Sequence, residues 1–181
     1  MPEMTSTVTH EKATRLAMER VLMAVVREEL VPATSTPEGL RLETVGILIP
    51  VSRFYSMGRF DLAGWPTCGH TGRPIQELKA LLERLHGDLS SDVFERLLAE
   101  LSNSRDNLED SLEAMERLGI GIAGEGTLAD WEGRVWEGHP LHPGNRLRSG
   151  VSLEEQHRFG PEWQVTFPLR LLEVPAEDLV V

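Results

Sequence analysis

The chain has 181 residues, 40% of them hydrophobic, which predicts a folded protein with one domain or with one domain and a helical appendage. Its 29 acidic and 18 basic side chains give a net charge of −11, which argues against nonspecific binding to nucleic acid or to an anionic membrane. One cysteine, no secretory signal and apolar runs far shorter than the roughly 20 residues of a membrane span predict a cytoplasmic protein without an intramolecular disulfide.

The first part of the chain predicts a long helix followed by a small antiparallel sheet. Apolar residues recur at helical spacing over residues 9–30, as in an amphipathic helix. The stretch VPATSTPEG, with two prolines and a glycine, predicts a connecting loop. The sequence after it is rich in β-branched and aromatic residues, which predicts a hairpin or edge pair with strands at about residues 42–49 and 52–60.

The second part of the chain is predominantly helical by its apolar spacing. PIQELKALLERLHG predicts a short helix with its proline in the first turn. The strongest helical pattern follows, capped by Ser90, Ser91 or Asp92 and continuing to about Leu118. Its apolar stripe consists of Phe94, Leu97, Leu98, Leu101, Leu108, Leu112 and Met115.

Three shorter elements are predicted towards the end of the chain. LADWEGRVWEG predicts a helix with Leu128, Trp131 and Val135 on one face, and Trp136 is a further candidate for that face. SLEEQHRFG predicts a short helix with a serine cap and acidic residues in its first turn. EWQVTFPLRLLEV is apolar enough to predict a strand.

The loop GHPLHPGNRLRSG, residues 138–150, joins the last two helices and carries two histidines. We call it the His/Arg loop. A proline follows each histidine and disfavours helical backbone in the residue before it, so His139 and His142 are expected on stiff, extended chain. Local positive charge in an acidic protein indicates a place where an anion could bind.

Two arginines of the His/Arg loop are separated by one residue. On extended backbone Arg146 and Arg148 would point the same way, and two converging guanidinium groups suit a phosphate or a carboxylate through forked hydrogen bonds. Gly150, just after the pair, would let the backbone approach a ligand closely or turn sharply. The residues therefore predict an anion site.

A zinc site is the alternative that the same histidines leave open. Cys68 and His70 of TCGHTG could join His139 and His142, since a Cys-x-His pair and a His-x-x-His pair supply four suitable donors. The prolines and the RLR sequence have no role in such a site, so anion binding is favoured. A purely structural turn with hydrogen-bonded histidines is the third interpretation.

The segment from Gly138 to Trp163 resembles the IucA/IucC family, siderophore synthetases that work without a peptide assembly line. The resemblance rests on the pattern G-H-P-x-H-P-x-x-[K/R]-x-R-x-G, a short helix and then G-P-E. Weaker agreement extends over most of the chain, in the first helix, the hairpin near GRF and LLAELSNSRDNLEDSLEAM. Arg146 stands where lysine is common, and Val151 stands where phenylalanine is expected.

The resemblance implies an ATP- and Mg²⁺-dependent enzyme that adenylates a carboxylate, commonly citrate or a succinyl derivative. The acyl group then passes to an amine, a hydroxylamine or an alcohol. It also implies that His139 and His142 lie near the phosphates of ATP, and that Arg146 and Arg148 bind phosphate or the departing pyrophosphate, with Gly150 beside them.

Family members are considerably longer, so the resemblance implies the amino-terminal portion of such an enzyme. A complete active site would then need a missing carboxyl-terminal half or a partner polypeptide. A stand-alone, non-catalytic module that binds a nucleotide or a partner is the alternative function, and a homodimer is left open.

The fold class that these patterns and the resemblance predict is α+β. Residues 1–137 are expected to form a helical, thumb-like domain with a small antiparallel sheet. Residues 138–181 are expected to hold the His/Arg loop and the beginning of a fingers-like, ATP-binding region.

Overall fold

Five α-helices and five short strands make up the part of the chain that the computed structural model describes, residues 3–119, 126–165 and 168. The helices are α1 (Glu3–Arg27), α2 (Leu78–Leu85), α3 (Ser91–Leu118), α4 (Leu128–Glu132) and α5 (Leu153–Phe159). The strands are β1 (Ala33–Thr36), β2 (Gly39–Leu42), β3 (Ile47–Phe54), β4 (Phe60–Leu62) and β5 (Thr67–Cys68). The predicted α+β class is confirmed. Within these residues no helix combines the length and apolar character that a bilayer crossing requires.

Helices α1 and α3 pack against each other in antiparallel fashion. Near one end Thr9 Oγ1 donates to a carboxylate oxygen of Glu116, 3.4 Å away. Further along, Ala13 of α1 packs in one buried cluster with Leu108 and Leu112 of α3. The apolar spacing of both helices produces this contact, because each presents one stripe of apolar side chains to its neighbour. Helix α3 therefore forms the platform on which later segments lie.

The strands form one antiparallel sheet in the order β1-β2-β3-β4, and β5 pairs with the beginning of β3. Alternate residues of the strands are buried against α1 and α2, as the two-residue period of a strand requires. These residues are Leu40, Leu42, Ile47, Ile49, Phe60 and Leu62. The main core of the protein therefore lies between the sheet and the first two helices.

The predicted strand positions were wrong in two respects. VPATSTPEG does not form a loop throughout, since its Ala33–Thr36 is strand β1. The gap expected between the strands at residues 42–49 and 52–60 does not occur either, and β3 runs through Pro50. The carbonyl of Pro50 still accepts a hydrogen bond from the Ala63 amide at 2.9 Å, so the missing N–H of proline does not end the pairing. The turn comes later, at Ser56–Gly58.

Helices α1, α3 and α5 followed the prediction, whereas α2 and α4 differ from it. Helix α2 begins at Leu78, so Pro74 lies before the helix, bridged to Thr67, and not in its first turn as expected. Helix α3 ends at Leu118 as expected, and α5 has the predicted serine cap. Helix α4 has only five residues, and Trp136 is 2% exposed whereas Leu128, Trp131 and Val135 are exposed. The expected common apolar face is therefore wrong, because the helix ends before Gly133. The predicted strand EWQVTFPLRLLEV starts in a 3₁₀ turn and lies mostly outside the described residues.

Candidate functional site: a loop held on a polar stripe of α3

Three polar side chains of α3 bind the backbone of the His/Arg loop. We call Asn103, Ser104 and Asn107 the α3 polar stripe. The Arg146 amide donates to Ser104 Oγ at 3.1 Å, and Asn107 Nδ2 donates to the Arg146 carbonyl at 2.9 Å. The Arg148 amide donates to Asn103 Oδ1 at 3.0 Å. The loop is therefore attached to a rigid helix at the two positions that carry its arginines.

The side chain of Arg146 is directed into the protein. Its Nη2 donates to the carbonyl oxygens of Val135 and Trp136, the latter at 2.7 Å, and its Nη1 lies 3.5 Å from Glu162 Oε1. Arg146 is only 9% exposed, and burial lowers the pKa of its guanidinium below the ordinary value. This arginine therefore fixes the chain that enters the loop.

The side chain of Arg148 is partly open to solvent. Its Nη1 donates to Gln156 Oε1 at 2.8 Å and its Nη2 donates to Glu162 Oε1 at 2.5 Å. Gln156 in turn donates to Asn107 Oδ1 at 3.1 Å, which links α5 to the α3 polar stripe. The side chain of Arg148 is 24% exposed, and two of its five N–H donors account for these bonds. It keeps donors that a ligand could use.

The two guanidinium groups approach the same anion, the carboxylate of Glu162. This glutamate belongs to the G-P-E sequence after α5 and is 3% exposed. Gly160 provides the room for it, since a Cβ at that position would lie 3.1 Å from Glu162 Oε2 and 2.6 Å from the Gln156 carbonyl. The arginine pair is thus partly neutralised by the protein itself.

Asn145 closes the His/Arg loop from within. Its Nδ2 donates to the carbonyl of Glu137 at 2.9 Å and to that of His139 at 2.8 Å, and its backbone amide donates to the His142 carbonyl at 3.2 Å. Gly138 permits this closure, because it has φ +71° and a Cβ there would lie 2.7 Å from Asn145 Nδ2. The loop is therefore tight as well as anchored.

Both histidines of the loop are exposed to solvent. His139 Nδ1 accepts a hydrogen bond from the Leu141 amide at 3.2 Å, so the neutral ring carries its proton on Nε2. That leaves an N–H donor on the outer side of the ring.

Gly150 has φ +75° and no atom within 4 Å of where a Cβ would lie, so it makes a turn in open space.

The four donors of the zinc alternative are not gathered. No group of three or more His, Cys, Asp or Glu side chains within residues 3–119 and 126–165 could hold a metal ion. Cys68 lies in β5, where hydrogen bonds from Thr71 lower the pKa of its thiol to about 7, and His70 packs against Gly46. The zinc interpretation is therefore wrong for these residues, because β5 is tied to the sheet and the His/Arg loop to α3.

The sequence interpretation missed the residues that support the loop. The polar members of α3 and α5 that contact it are Asn103, Ser104, Asn107 and Gln156, with Asn145 and Glu162 from the loop and the turn after α5. The sequence did contain a signal for the polar residues of α3. The apolar stripe of α3 skips from Leu101 to Leu108, and Ser104 occupies the helical position between them. A small polar residue at that position indicates a polar partner.

Comparison with known proteins gives agreement along the chain. The IucA / IucC family model matches residues 127–181. The chain is 25% identical to staphyloferrin A synthase of Staphylococcus aureus (strain NCTC 8325 / PS 47) over 202 positions, covering 93% of this chain and 34% of that protein. It is 30% identical to the rhizobactin siderophore biosynthesis protein RhbC of Rhizobium meliloti (strain 1021) over 105 positions, covering 57% of this chain and 18% of that protein.

A solved structure has the same fold. The chain resembles the ATP-bound aerobactin synthetase IucA from a hypervirulent pathotype of Klebsiella pneumoniae with a TM-score of 0.66 at 17% identity, over 82% of this chain and 29% of that one. The chain thus spans about a third of the length of staphyloferrin A synthase and somewhat less of the aerobactin synthetase. Residues 127–181 therefore match the IucA/IucC family, and the chain over most of its length is similar in sequence to siderophore biosynthesis proteins and in fold to the aerobactin synthetase IucA.

Proposed function

We propose that the chain takes part, in the cytoplasm, in the ATP-dependent assembly of a siderophore. In this proposal a carboxylate of the citrate or succinyl type is adenylated and then condensed with an amine, a hydroxylamine or an alcohol. The names of the relatives, a staphyloferrin synthase and a rhizobactin biosynthesis protein, support the siderophore product. The substrates themselves follow from the family resemblance.

The observation that carries the proposal is the outward-facing donor set of the His/Arg loop. His139 and His142 are exposed, and Arg148 has N–H donors that make no hydrogen bond to the described residues, while its position is fixed by Gln156 and Glu162. Preorganised donors of this kind stabilise negative charge on phosphate groups without covalent participation. The solved aerobactin synthetase was ATP-bound, which supports ATP as the nucleotide.

Arg146 has a different role in this proposal from that of Arg148. Its guanidinium is buried against two carbonyl oxygens, so we assign it to holding the loop in place. Gly150 supplies the turn that follows the donors. The division into a thumb-like domain up to residue 137 and an ATP-binding region from residue 138 stays a prediction.

Mg²⁺ is proposed as the companion of ATP. Residues 3–119 and 126–165 contain no cluster of three carboxylate, imidazole or thiol ligands. This agrees with the usual behaviour of Mg²⁺, which is bound by one or two carboxylates and by the phosphates of the nucleotide. The ion would supply charge neutralisation at the phosphates when bound, and the loop residues would orient the phosphate oxygens beside it.

Calorimetry of the isolated chain with Mg-ATP tests the nucleotide role. We expect measurable affinity, and we expect Arg148→Ala to weaken it at least about tenfold, because a charge-assisted hydrogen bond contributes roughly 1.5–3 kcal/mol. Arg158→Ala is the matched control, since Arg158 is exposed on α5 and lies over the Phe159 ring. Equal affinities for the wild type and Arg148→Ala would remove the phosphate role from Arg148.

The alternative function is a non-catalytic module, and a lengthened chain distinguishes this alternative from the enzyme. When the chain is continued with the carboxyl-terminal part of a family member, the enzyme proposal expects ATP-dependent formation of a hydroxamate or an amide. ATP binding without turnover in that continued chain favours a nucleotide-binding module. Absence of ATP binding leaves binding of a partner polypeptide as the function.

A further inference from the structure

A polar cavity lies between α1, β4 and the beginning of the His/Arg loop. Its volume is about 210 Å³. At roughly 30 Å³ for each water molecule this equals about seven waters, which is the size of a small metabolite. Charged side chains line most of it, three arginines and three carboxylates: Arg15, Glu19, Arg20, Arg59, Asp61 and Glu137.

Arg20 is the unusual member of this lining. The residue is 3% exposed, and among the described residues its guanidinium makes one hydrogen bond, from Nη2 to the Glu137 carbonyl at 2.7 Å. A guanidinium has five N–H donors, and because Arg20 lines the cavity, donors that this bond does not use can face a ligand there. Burial lowers the pKa of Arg20 below its ordinary value. With Arg15 and Arg59 beside it, the cavity offers forked donors suited to a carboxylate.

The carboxylates of the cavity exclude a ligand that carries negative charge alone. Glu19 Oε2 accepts a hydrogen bond from the Leu62 amide at 2.8 Å, and burial raises the pKa of Glu19. Asp61 Oδ2 accepts from the Tyr55 hydroxyl at 2.6 Å. The remaining carboxylate oxygens can accept hydrogen bonds from an ammonium group. Because the two signs of charge are equal in number around the cavity, a ligand with both signs is complementary to it.

We propose that this cavity binds a small amino acid as a zwitterion. The carboxylate of the ligand lies against Arg15, Arg20 and Arg59, and its ammonium group lies against Glu19 and Asp61. A short aliphatic side chain packs on Leu16, Met23 and Leu62, which with Pro140 form the apolar part of the lining. Nucleotide binding at the His/Arg loop is not needed for this site, so the two proposals can fail separately.

Calorimetric titration of the chain with three related probes tests the charge requirement. L-norvaline carries both charged groups, pentanoate lacks the ammonium group, and n-butylamine lacks the carboxylate. We expect L-norvaline to bind at least roughly tenfold more tightly than either fragment, because each fragment loses one set of charge-assisted hydrogen bonds. Pentanoate binding as tightly as L-norvaline, or no detectable binding of L-norvaline at millimolar concentration, would overturn the proposal.

Substitutions of exposed arginines test the location. Arg59→Gln and Arg15→Gln should each weaken L-norvaline binding about tenfold, and neither residue is part of the core, so the chain should still fold. Arg53→Gln is the matched control. Arg53, like Arg59, is exposed and close to the Tyr55 ring, but it does not line the cavity. Unchanged affinity in both Arg59→Gln and Arg15→Gln would show that the amino acid binds elsewhere and would overturn the assignment.

Discussion

Glu162→Gln should destabilise the chain strongly. The carboxylate contacts Arg148 at 2.5 Å and lies 3.5 Å from Arg146, and it is 3% exposed. Its Oε2 accepts no hydrogen bond from the described residues, so the amide group of glutamine can occupy that position. The substitution therefore mainly removes charge and leaves two guanidinium groups without their common anion.

The magnitude follows from the burial of the three side chains. Removing one partner of a buried ion pair costs about 3–5 kcal/mol. The lower end applies here, because the Arg148 side chain is 24% exposed and water can compensate part of the loss. We therefore expect a decrease of about 3 kcal/mol in the free energy of unfolding. For a chain of this length that corresponds to a Tm lower by about 6–12 °C.

Urea denaturation followed by circular dichroism measures this change. Glu100→Gln is the control, because Glu100 is exposed on α3 and should change stability by less than about 0.5 kcal/mol. The double variant with Arg148→Gln should lose less than the sum of the two single variants, by at least about 1 kcal/mol. A loss below about 1 kcal/mol for Glu162→Gln, or additive single variants, would refute the assignment of Glu162 as the common anion.

Two further predictions concern the ends of the His/Arg loop. Gly138→Ala should lower stability by more than Gly150→Ala. Both glycines have positive φ, but only a Cβ at residue 138 would lie against Asn145. We expect the two variants to differ by about 1 kcal/mol or more in urea denaturation. Ser152→Ala should cost about 1 kcal/mol through loss of the α5 cap. Hydrogen bonds from Ser152 also lower the pKa of Glu155 in the folded chain. The stabilisation that ionised Glu155 provides is therefore present above the ordinary carboxyl pKa of 4.5 and should diminish as the pH falls below it. Thermal melts from pH 7 to pH 3 can show this loss.

Helices were predictable from the sequence because their signals are local and repeated. The apolar period of α3 extends over 28 residues, and its end coincides with Gly119 in the left-handed conformation. The capping box of α5 is likewise contained in four consecutive residues. Such signals do not depend on distant parts of the chain.

The sheet was less predictable because its first strand has almost no apolar signal. Strand β1 has the sequence ATST and is largely exposed, so only its pairing with β2 makes it a strand. The α4 region shows the opposite case, in which an apolar pattern in the sequence did not lead to burial. Leu128, Trp131 and Val135 gave an apolar pattern, but a five-residue helix that ends before Gly133 cannot bring them to one buried face.

The candidate site shows what a motif can and cannot predict. Closely spaced arginines indicate an anion, and both guanidinium groups do approach one, but it is the protein's own Glu162. The sequence placed G-P-E after the loop without indicating that its glutamate returns to the arginines, because that contact depends on how α5 lies against the α3 polar stripe.

The carboxylate of Glu162, by pairing with both arginines, limits which groups of the loop can bind a ligand. Arg146 has its Nη donors directed at carbonyl oxygens and at Glu162, so bringing it to a phosphate would require breaking buried hydrogen bonds. Arg148 needs no such rearrangement, since a quarter of its side chain is open and the bonds to Gln156 and Glu162 hold the rest in place. His139 has its proton directed outward by the Leu141 amide. In the proposed function, a nucleotide would therefore contact the loop through His139, His142 and Arg148, with Glu162 reducing the net charge that they present. The loop would then bind phosphate by directed hydrogen bonds more than by accumulated positive charge, which is consistent with a chain whose net charge is −11.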